Sequence, residues 1–384
     1  MTKQTAPYAA RFSQQIAGGA PCFPFWKGRV ALYAILKALG IAPGDEVVVP
    51  GYTCVMNINP VKYCGACPIY VDIDPKTYNV DPGRVEAAIT PRTRVIIAQH
   101  TYGIPCDMDV LLAIGKKHGV PVIEDCCLAL GSTYKGRLCG TMGVAAYWSF
   151  QWSKTVTTGI GGMAAVNDPV LAEKVRVLCA QAKNPSLRTT TLLDLQRLAH
   201  RFLLYPKTAA FATALFRWLT AKGVVIGSSS SQEFNPVEAL DFFMGMSVGQ
   251  ARAGLRGLSF LEKNRDHRQE LLKLYEDELK GKEALLPQPP VGGAPVYVRY
   301  PVRVKDKQFI LKEAVSRRME IGSWFESPLH PHETPLSPYN YTLGQCPEAE
   351  RAAREVVNLP LHPRVTRTEA ERSVRFIAEH LAGE

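Results

Sequence analysis

Two residues whose types and spacing suggest chemistry are Asp125 and Lys154, each just behind an apolar run, with small and hydroxylated residues around them. The stretch from Pro121 to Met163 reads PVIEDCCLALGSTYKGRLCGTMGVAAYWSFQWSKTVTTGIGGM. The run Val120–Ile123 ends in Glu124-Asp125, as a buried parallel strand does where it delivers side chains to a crevice. A second run, Val144–Phe150, leads through Ser149 and Ser153 to Lys154. It is followed by Thr157-Thr158-Gly159-Ile160-Gly161-Gly162, a loop rich in backbone N–H donors. A lysine placed just after a buried strand is desolvated and so made nucleophilic, which Schiff-base chemistry requires. An aspartate on a neighbouring strand can hold a protonated pyridine nitrogen, and the hydroxyls and N–H groups can take a phosphate. On spacing alone, a surface lysine and a helix-capping aspartate fit at least as well.

The elements that must position these residues alternate along the chain. Residues 1–24 read as an irregular lead-in. Arg29–Leu39 carries apolar residues at helical spacing and stops at Gly40. The preceding Lys27-Gly28-Arg29 places N–H groups at a helix N-terminus, a ready anion site. Strands are predicted at Val47–Val49, Pro68–Asp74, Arg94–Gln99 and Val120–Ile123, and helices at Asp81–Ile89, Leu111–His118 and Asp168–Gln181. This alternation implies an α/β fold with a doubly wound, mostly parallel sheet and a crevice at the strands' carboxyl ends. Leu192–Ile226 mixes apolar faces with Arg197, Arg201, Lys207, Arg217 and Lys222, and its charge-free run is too short to span a bilayer. It reads as a helical insertion packed on protein, a basic amphipathic hairpin on a membrane surface, or a wall for a long apolar substrate. Downstream, helix Met246–Glu262, helix Arg265–Leu279, strand Val296–Val304, helix Lys307–Met319, strand-like Gly322–Phe325 and helix Thr368–Leu381 form a smaller α+β unit. The expected division is 1–180 (large domain), 181–240 (insertion and linker) and 241–384 (small domain).

The stretch EDCCLALGSTYKGRLCG…SFQWSK…GIGGM resembles the core signature of the DegT/DnrJ/EryC1/StrS family of PLP-dependent, fold type I sugar aminotransferases. Four further stretches extend the likeness: PGDEVVVP (43–50), PIYVDID (68–74), HTYGIPCDMD (100–109) and AERAAREVVNLPLHP (349–363). The resemblance implies that Lys154 carries pyridoxal 5'-phosphate (PLP) as a Schiff base and that Asp125 pairs with the pyridinium nitrogen. Ser149 matches the family's phosphate-binding serine, with Ser153, Gly28 and Arg29 sharing that load. Relatives stack an aromatic residue on the ring where this chain has Cys54. Tyr52, two residues earlier, stacks instead or is a core or lid tyrosine. Where relatives place Gln or His near the ring hydroxyl, this chain has Leu128. His330, in Pro328-Leu329-His330, matches a histidine facing the substrate, or is an exposed loop histidine. His100 is assigned no chemistry. The family's Asn-x-Arg, which reaches the partner subunit's cofactor phosphate, aligns with Phe243-Met244-Gly245 and is absent; Asn235 is a distant substitute.

The resemblance implies amino transfer, with glutamate as donor, to a keto sugar, most naturally nucleotide-linked, in a homodimer. Retention of Lys154 argues against the family's dehydratase branch. Three alternatives stay open: a cyclitol or lipid-like ketone as acceptor, another PLP reaction, and a regulatory protein that has lost the chemistry. Composition excludes less. The 384 residues carry 46% hydrophobic and 21% charged residues, ordinary for a globular enzyme. The net charge of +10 comes without a basic tract interleaved with aromatics, so nucleic acid is not the expected partner. The N-terminus lacks the apolar core of a signal peptide, which points to the cytoplasm. Ten scattered cysteines, with a lone Cys64-Gly-Ala-Cys67 and no second pair at zinc spacing, predict no metal site.

Overall fold

The computed structural model describes residues 2–203, 225–227, 231–234, 236–237 and 241–381. At its centre lie seven strands: β1 (Cys22–Phe25), β2 (Glu46–Pro50), β3 (Cys67–Val71), β4 (Thr93–Gln99), β5 (Val122–Asp125), β6 (Ala145–Ser149) and β7 (Gly162–Val166). Their spatial order is β1-β7-β6-β5-β4-β2-β3. All neighbours from β6 to β3 run parallel, and β7 runs antiparallel to both β6 and β1. Strands covered on both faces need apolar residues at every position rather than at alternate ones, and β2 and β7 are buried throughout. The parallel register sets Asp125 beside Gln99 of β4 and Tyr147 of β6, at the carboxyl edge of the sheet.

The lead-in is not irregular. Helix α1 (Ala6–Gln15) buries Tyr8, Ala9 and Phe12, and the rings of Tyr8 and Phe12 meet Phe150 edge-on. A single helical face over ten residues, broken by no strong signal, was too short to register against a Pro-containing background. Helices α2 (Gly28–Ala38), α3 (Val55–Tyr63), α4 (Pro82–Ala87), α5 (Met108–His118) and α6 (Pro169–Gln181) flank the sheet. Asp81, Asp107 and Asp168 each cap the helix that follows by accepting backbone N–H groups, worth roughly 1 kcal/mol apiece.

Helix α7 (Leu187–Leu203) covers the described start of the predicted insertion, and its Leu193 is buried against Trp26 and Ile160. Residues 204–224 lie outside the described residues, as does Asn235. Among the described residues, no helix is long and apolar enough to cross a membrane. Helix α8 (Val248–Ser259) opens on a capping box between Ser247 and Gln250, and α9 (Leu261–Glu278) follows. Two antiparallel strands, β8 (Arg299–Arg303) and β9 (Val356–Pro360), then pair with α10 (Lys307–Ser316), α11 (Pro347–Glu355) and α12 (Arg367–Leu381) around them. Gly322–Phe325 is not a strand; only Gly322 bridges, to Asn358. One hydrophobic cluster runs from β2 and α2 through Phe325 to α12, joining the sheet to this C-terminal part.

Candidate active site

Asp125 closes β5 and is 2% exposed. Its Oδ1 accepts the Cys127 N–H at 2.9 Å and its Oδ2 accepts the Asn57 amide at 2.6 Å. Asn57 sits on α3, where the same amide reaches Thr53 and Gln99. Gln99 in turn donates to the Tyr52 carbonyl and the Thr101 hydroxyl, so a buried polar chain holds the carboxylate in one orientation. Sequence reasoning missed Asn57; nothing in its local pattern separates it from other helix asparagines.

Lys154 lies in the turn after β6, its amide N–H bonded to the Gln151 carbonyl at 3.0 Å. Burial lowers its pKa below the ordinary lysine value; Cys127, Asp125 and Cys54 oppose the shift and Arg299 adds to it. Among the described residues its ammonium makes no ion pair. Its Nζ stands instead 5.0 Å from the centroid of the Trp324 ring. The loop after Lys154 is pinned by Phe150 N–H to Gly161 O, Thr158 N–H to Phe150 O, and Gln250 Nε2 to Ile160 O. Gly159 turns at φ +86°, a conformation other residues adopt only with strain.

The predicted phosphate side comes together where α2 begins. A Cβ on Gly28 would stand 2.9 Å from Ser149 Cβ, so glycine is what allows the helix N-terminus to lie against the end of β6. Lys27 at the N-cap offers no side-chain cap, leaving the first N–H groups without a side-chain acceptor from that residue. The hydroxyl of Ser153 is buried without a hydrogen-bond partner. A helix N-terminus, a strand-end serine and an orphaned buried hydroxyl make a donor set of the kind a phosphate monoester requires. With Asp125 and Lys154 in place, these residues fit PLP.

Three expectations are corrected. Arg29 does not point at an anion site: its guanidinium is buried and pairs with Glu233 at 2.9 Å, and Lys27 pairs with the same carboxylate at 3.2 Å. Sequence reasoning missed Glu233, which comes from a turn about 200 positions downstream. Tyr52 is not a stacking residue. It is fully buried, its hydroxyl bonded to Tyr102 at 2.8 Å and to the Phe325 N–H at 3.2 Å, inside a cluster with Tyr78 and Phe325. His330 is not an exposed loop histidine: it is half-buried, pairs along Cys54 in a short parallel bridge, and lies 5.9 Å from Trp324. Burial lowers its pKa to about 4, and its Nδ1 is without a partner. Leu128 is buried in the main core, an apolar wall as its type dictates. Cys54 is in the electrostatic reach of Lys154 and Asp125, at the N-cap of α3.

His100 is satisfied, as expected. Its Nδ1 accepts the Cys106 N–H and its Nε2 meets Glu124 at 3.1 Å. Glu124 also takes the N–H groups of Gly140, Met142 and Gly143, organising the turn before β6. His100, Glu124 and Cys126 are close enough to suggest a metal site. The ring nitrogens of His100 and the carboxylate of Glu124 are already committed to these hydrogen bonds, so the cluster reads as structural.

A family model described as the DegT/DnrJ/EryC1/StrS aminotransferase family matches residues 5–378. The chain is 32% identical to a GDP-perosamine synthase of Caulobacter vibrioides over 358 residues, covering 92% of this chain and 84% of that protein. It is 41% identical to an L-glutamine:scyllo-inosose aminotransferase of Streptomyces griseus over 179 residues, 46% of this chain and 42% of that one. A solved structure of S. venezuelae DesV in complex with a ketimine intermediate superposes with a TM-score of 0.76 at 26% identity, covering 99% of this chain and 89% of that one.

Proposed function

The chain belongs to the DegT/DnrJ/EryC1/StrS aminotransferase family and is an aminotransferase, and from that premise we propose that it uses PLP, held by Lys154, to move an amino group from an amino acid, glutamate by family resemblance, to the keto group of a nucleotide-linked sugar. The observation that carries this reading is a buried lysine with a lowered pKa, free of ion pairs among the described residues, beside a buried aspartate held by a polar chain.

Bound PLP supplies an electron sink for the carbanion left when the donor loses its Cα proton. Every other task falls to the chain. Lys154 Nζ would hold the cofactor and would act as the base that takes the donor Cα proton and the acid that gives it back; its lowered pKa keeps the amine able to accept a proton nearer neutrality. Asp125 holds the ring nitrogen through whichever oxygen lone pairs Asn57 and Cys127 leave open. Ser149, Ser153 and the Gly28 and Arg29 N–H groups hold the phosphate. Leu128 and Cys54 line the ring, and His330 faces the substrate side. The active unit is a homodimer, as family resemblance implies, with residues 1–180 holding the cofactor and 241–384 closing over it. The likeness to the scyllo-inosose enzyme supports a second reading, a cyclitol as acceptor.

Borohydride reduction of the PLP-loaded protein, followed by peptide mass mapping, tests the attachment. A pyridoxyl adduct on the peptide carrying Lys154 is expected, and an adduct confined to another lysine refutes the assignment. Parallel rates with a nucleotide-linked keto sugar and with an inosose then decide between the two acceptor classes.

A further inference from the structure

Arg299 and Trp324 have no part in the family pattern read from the sequence, yet both stand at Lys154. Arg299 begins β8 and is half-buried, and among the described residues its side chain makes neither a hydrogen bond nor an ion pair. Its guanidinium carbon lies 5.0 Å from the centroid of the Trp324 ring, the same ring that Lys154 Nζ approaches at 5.0 Å. The two cations therefore lie no more than about 10 Å apart. The path to that ring is kept open by Gly322, where a Cβ would stand 2.6 Å from Arg299 Nη1. Trp324 is fixed from both sides of its peptide: its N–H is bonded to Asn358 Oδ1 at 2.8 Å and its carbonyl to the Tyr102 hydroxyl at 2.5 Å.

A half-buried guanidinium without a carboxylate is under-satisfied, since five donors have lost part of their water. The neighbourhood sharpens this. Arg268, 3% exposed, spends its donors on the carbonyls of Tyr297 and Val298 and on Asn264, so it adds positive potential and no counter-charge. An anion arriving at Arg299 meets a planar fork of donors stacked on an aromatic face, the geometry that suits a carboxylate.

We propose that Arg299, oriented by Trp324, binds the α-carboxylate of the amino donor. This rests on the aminotransferase reading and deepens it. The donor's reacting nitrogen must come to the place Lys154 Nζ holds, and in an α-amino acid the carboxylate carbon is two bonds from that nitrogen. A guanidinium that shares the Trp324 ring with Lys154, within about 10 Å of it, is thus within reach of that carboxylate. A nucleotide-linked acceptor carries its phosphates the breadth of a sugar ring from the keto carbon, and a cyclitol carries none, so neither needs a cation this close to the lysine.

The test uses the PLP-loaded full chain, its Arg299→Gln and Arg299→Lys variants, and two readouts. Calorimetric binding of glutarate, a dicarboxylate with no amino group to react, is expected to weaken roughly 10–100-fold in Arg299→Gln, the loss of a charge-assisted pair. Arg299→Lys is expected to fall between. In steady-state assays the KM for glutamate is expected to rise by a similar factor while the KM for the keto acceptor stays within about twofold. Unchanged glutarate affinity overturns the proposal. So does a rise confined to the acceptor KM, which would assign Arg299 to an acceptor phosphate. The visible absorption of the cofactor, recorded on the same samples, reports separately on the premise. If it is absent from the parent protein, the aminotransferase reading fails; if it is present and glutarate binds all variants alike, only the Arg299 assignment fails.

Discussion

His330 shows how a single half-buried group makes stability depend on pH. Its pKa is lowered from 6.5 to about 4, chiefly by burial; Lys154 and Lys307 add to the shift and Glu326 and Glu333 oppose it. As pH falls below 6.5 the unfolded chain takes a proton that the folded chain refuses until about 4. Stability is therefore lost progressively through that window and is fully present above it. At pH 5 the loss is about 2 kcal/mol. Urea unfolding at pH 7 and pH 5 should show this loss in the parent and not in His330→Asn; equal pH sensitivity in both would remove His330 as the cause. Residues of this kind divided sharply in legibility. Lys154, Asp125, Ser149 and Gly28 could be read because each sits at a strand end or helix start within a local pattern. Asn57, Trp324 and Arg299 could not, because each reaches the site from another segment and carries no signal until the chain is folded. Tyr52 misled for the converse reason: its neighbour Cys54 faces the site, and two residues along a strand-like segment do not guarantee a shared environment once α3 begins.

At the level of elements, the start of α2 is held by a turn that the sequence places in a linker. The turn Ser231–Phe234 brings Glu233 onto Lys27 and Arg29, while its backbone carbonyl accepts from Asn59 at 2.8 Å and from the Tyr339 hydroxyl at 3.2 Å. Glu233 thus ties the buried Arg29 and the half-buried Lys27 to this turn, at the helix N-terminus where the phosphate is expected. Replacing Glu233 with Ala removes its pairs with Lys27 and Arg29, and breaking a buried pair costs about 3–5 kcal/mol. The urea midpoint should drop accordingly with an unchanged slope. Added inorganic phosphate should recover part of the loss, more than it stabilises the parent. An unshifted midpoint would mean the pair contributes nothing to the fold. The strand–helix alternation from α2 to α6 was readable from apolar runs and Asp caps. Helix α1 was not, because its one buried face only acquires meaning against Phe150 and α8.

For the molecule as a whole, the sheet brings Asp125 and Lys154 to one edge, and β8 with the segment before His330 closes over them from the C-terminal part. That closure is why the site's chemistry could be read from one stretch of sequence while its specificity could not. The residues proposed to hold the cofactor belong to local strand ends and a helix start, and those proposed to meet the substrate come from distant segments. The central claim is that Lys154 carries PLP and passes an amino group through it. The measurement that tests this most directly is the visible absorption of the PLP-loaded protein before and after L-glutamate, beside Lys154→Ala. The account predicts a band in the parent that glutamate bleaches in favour of the pyridoxamine form, and that Lys154→Ala lacks. A band that persists in Lys154→Ala, or one in the parent that no amino acid bleaches, would contradict it.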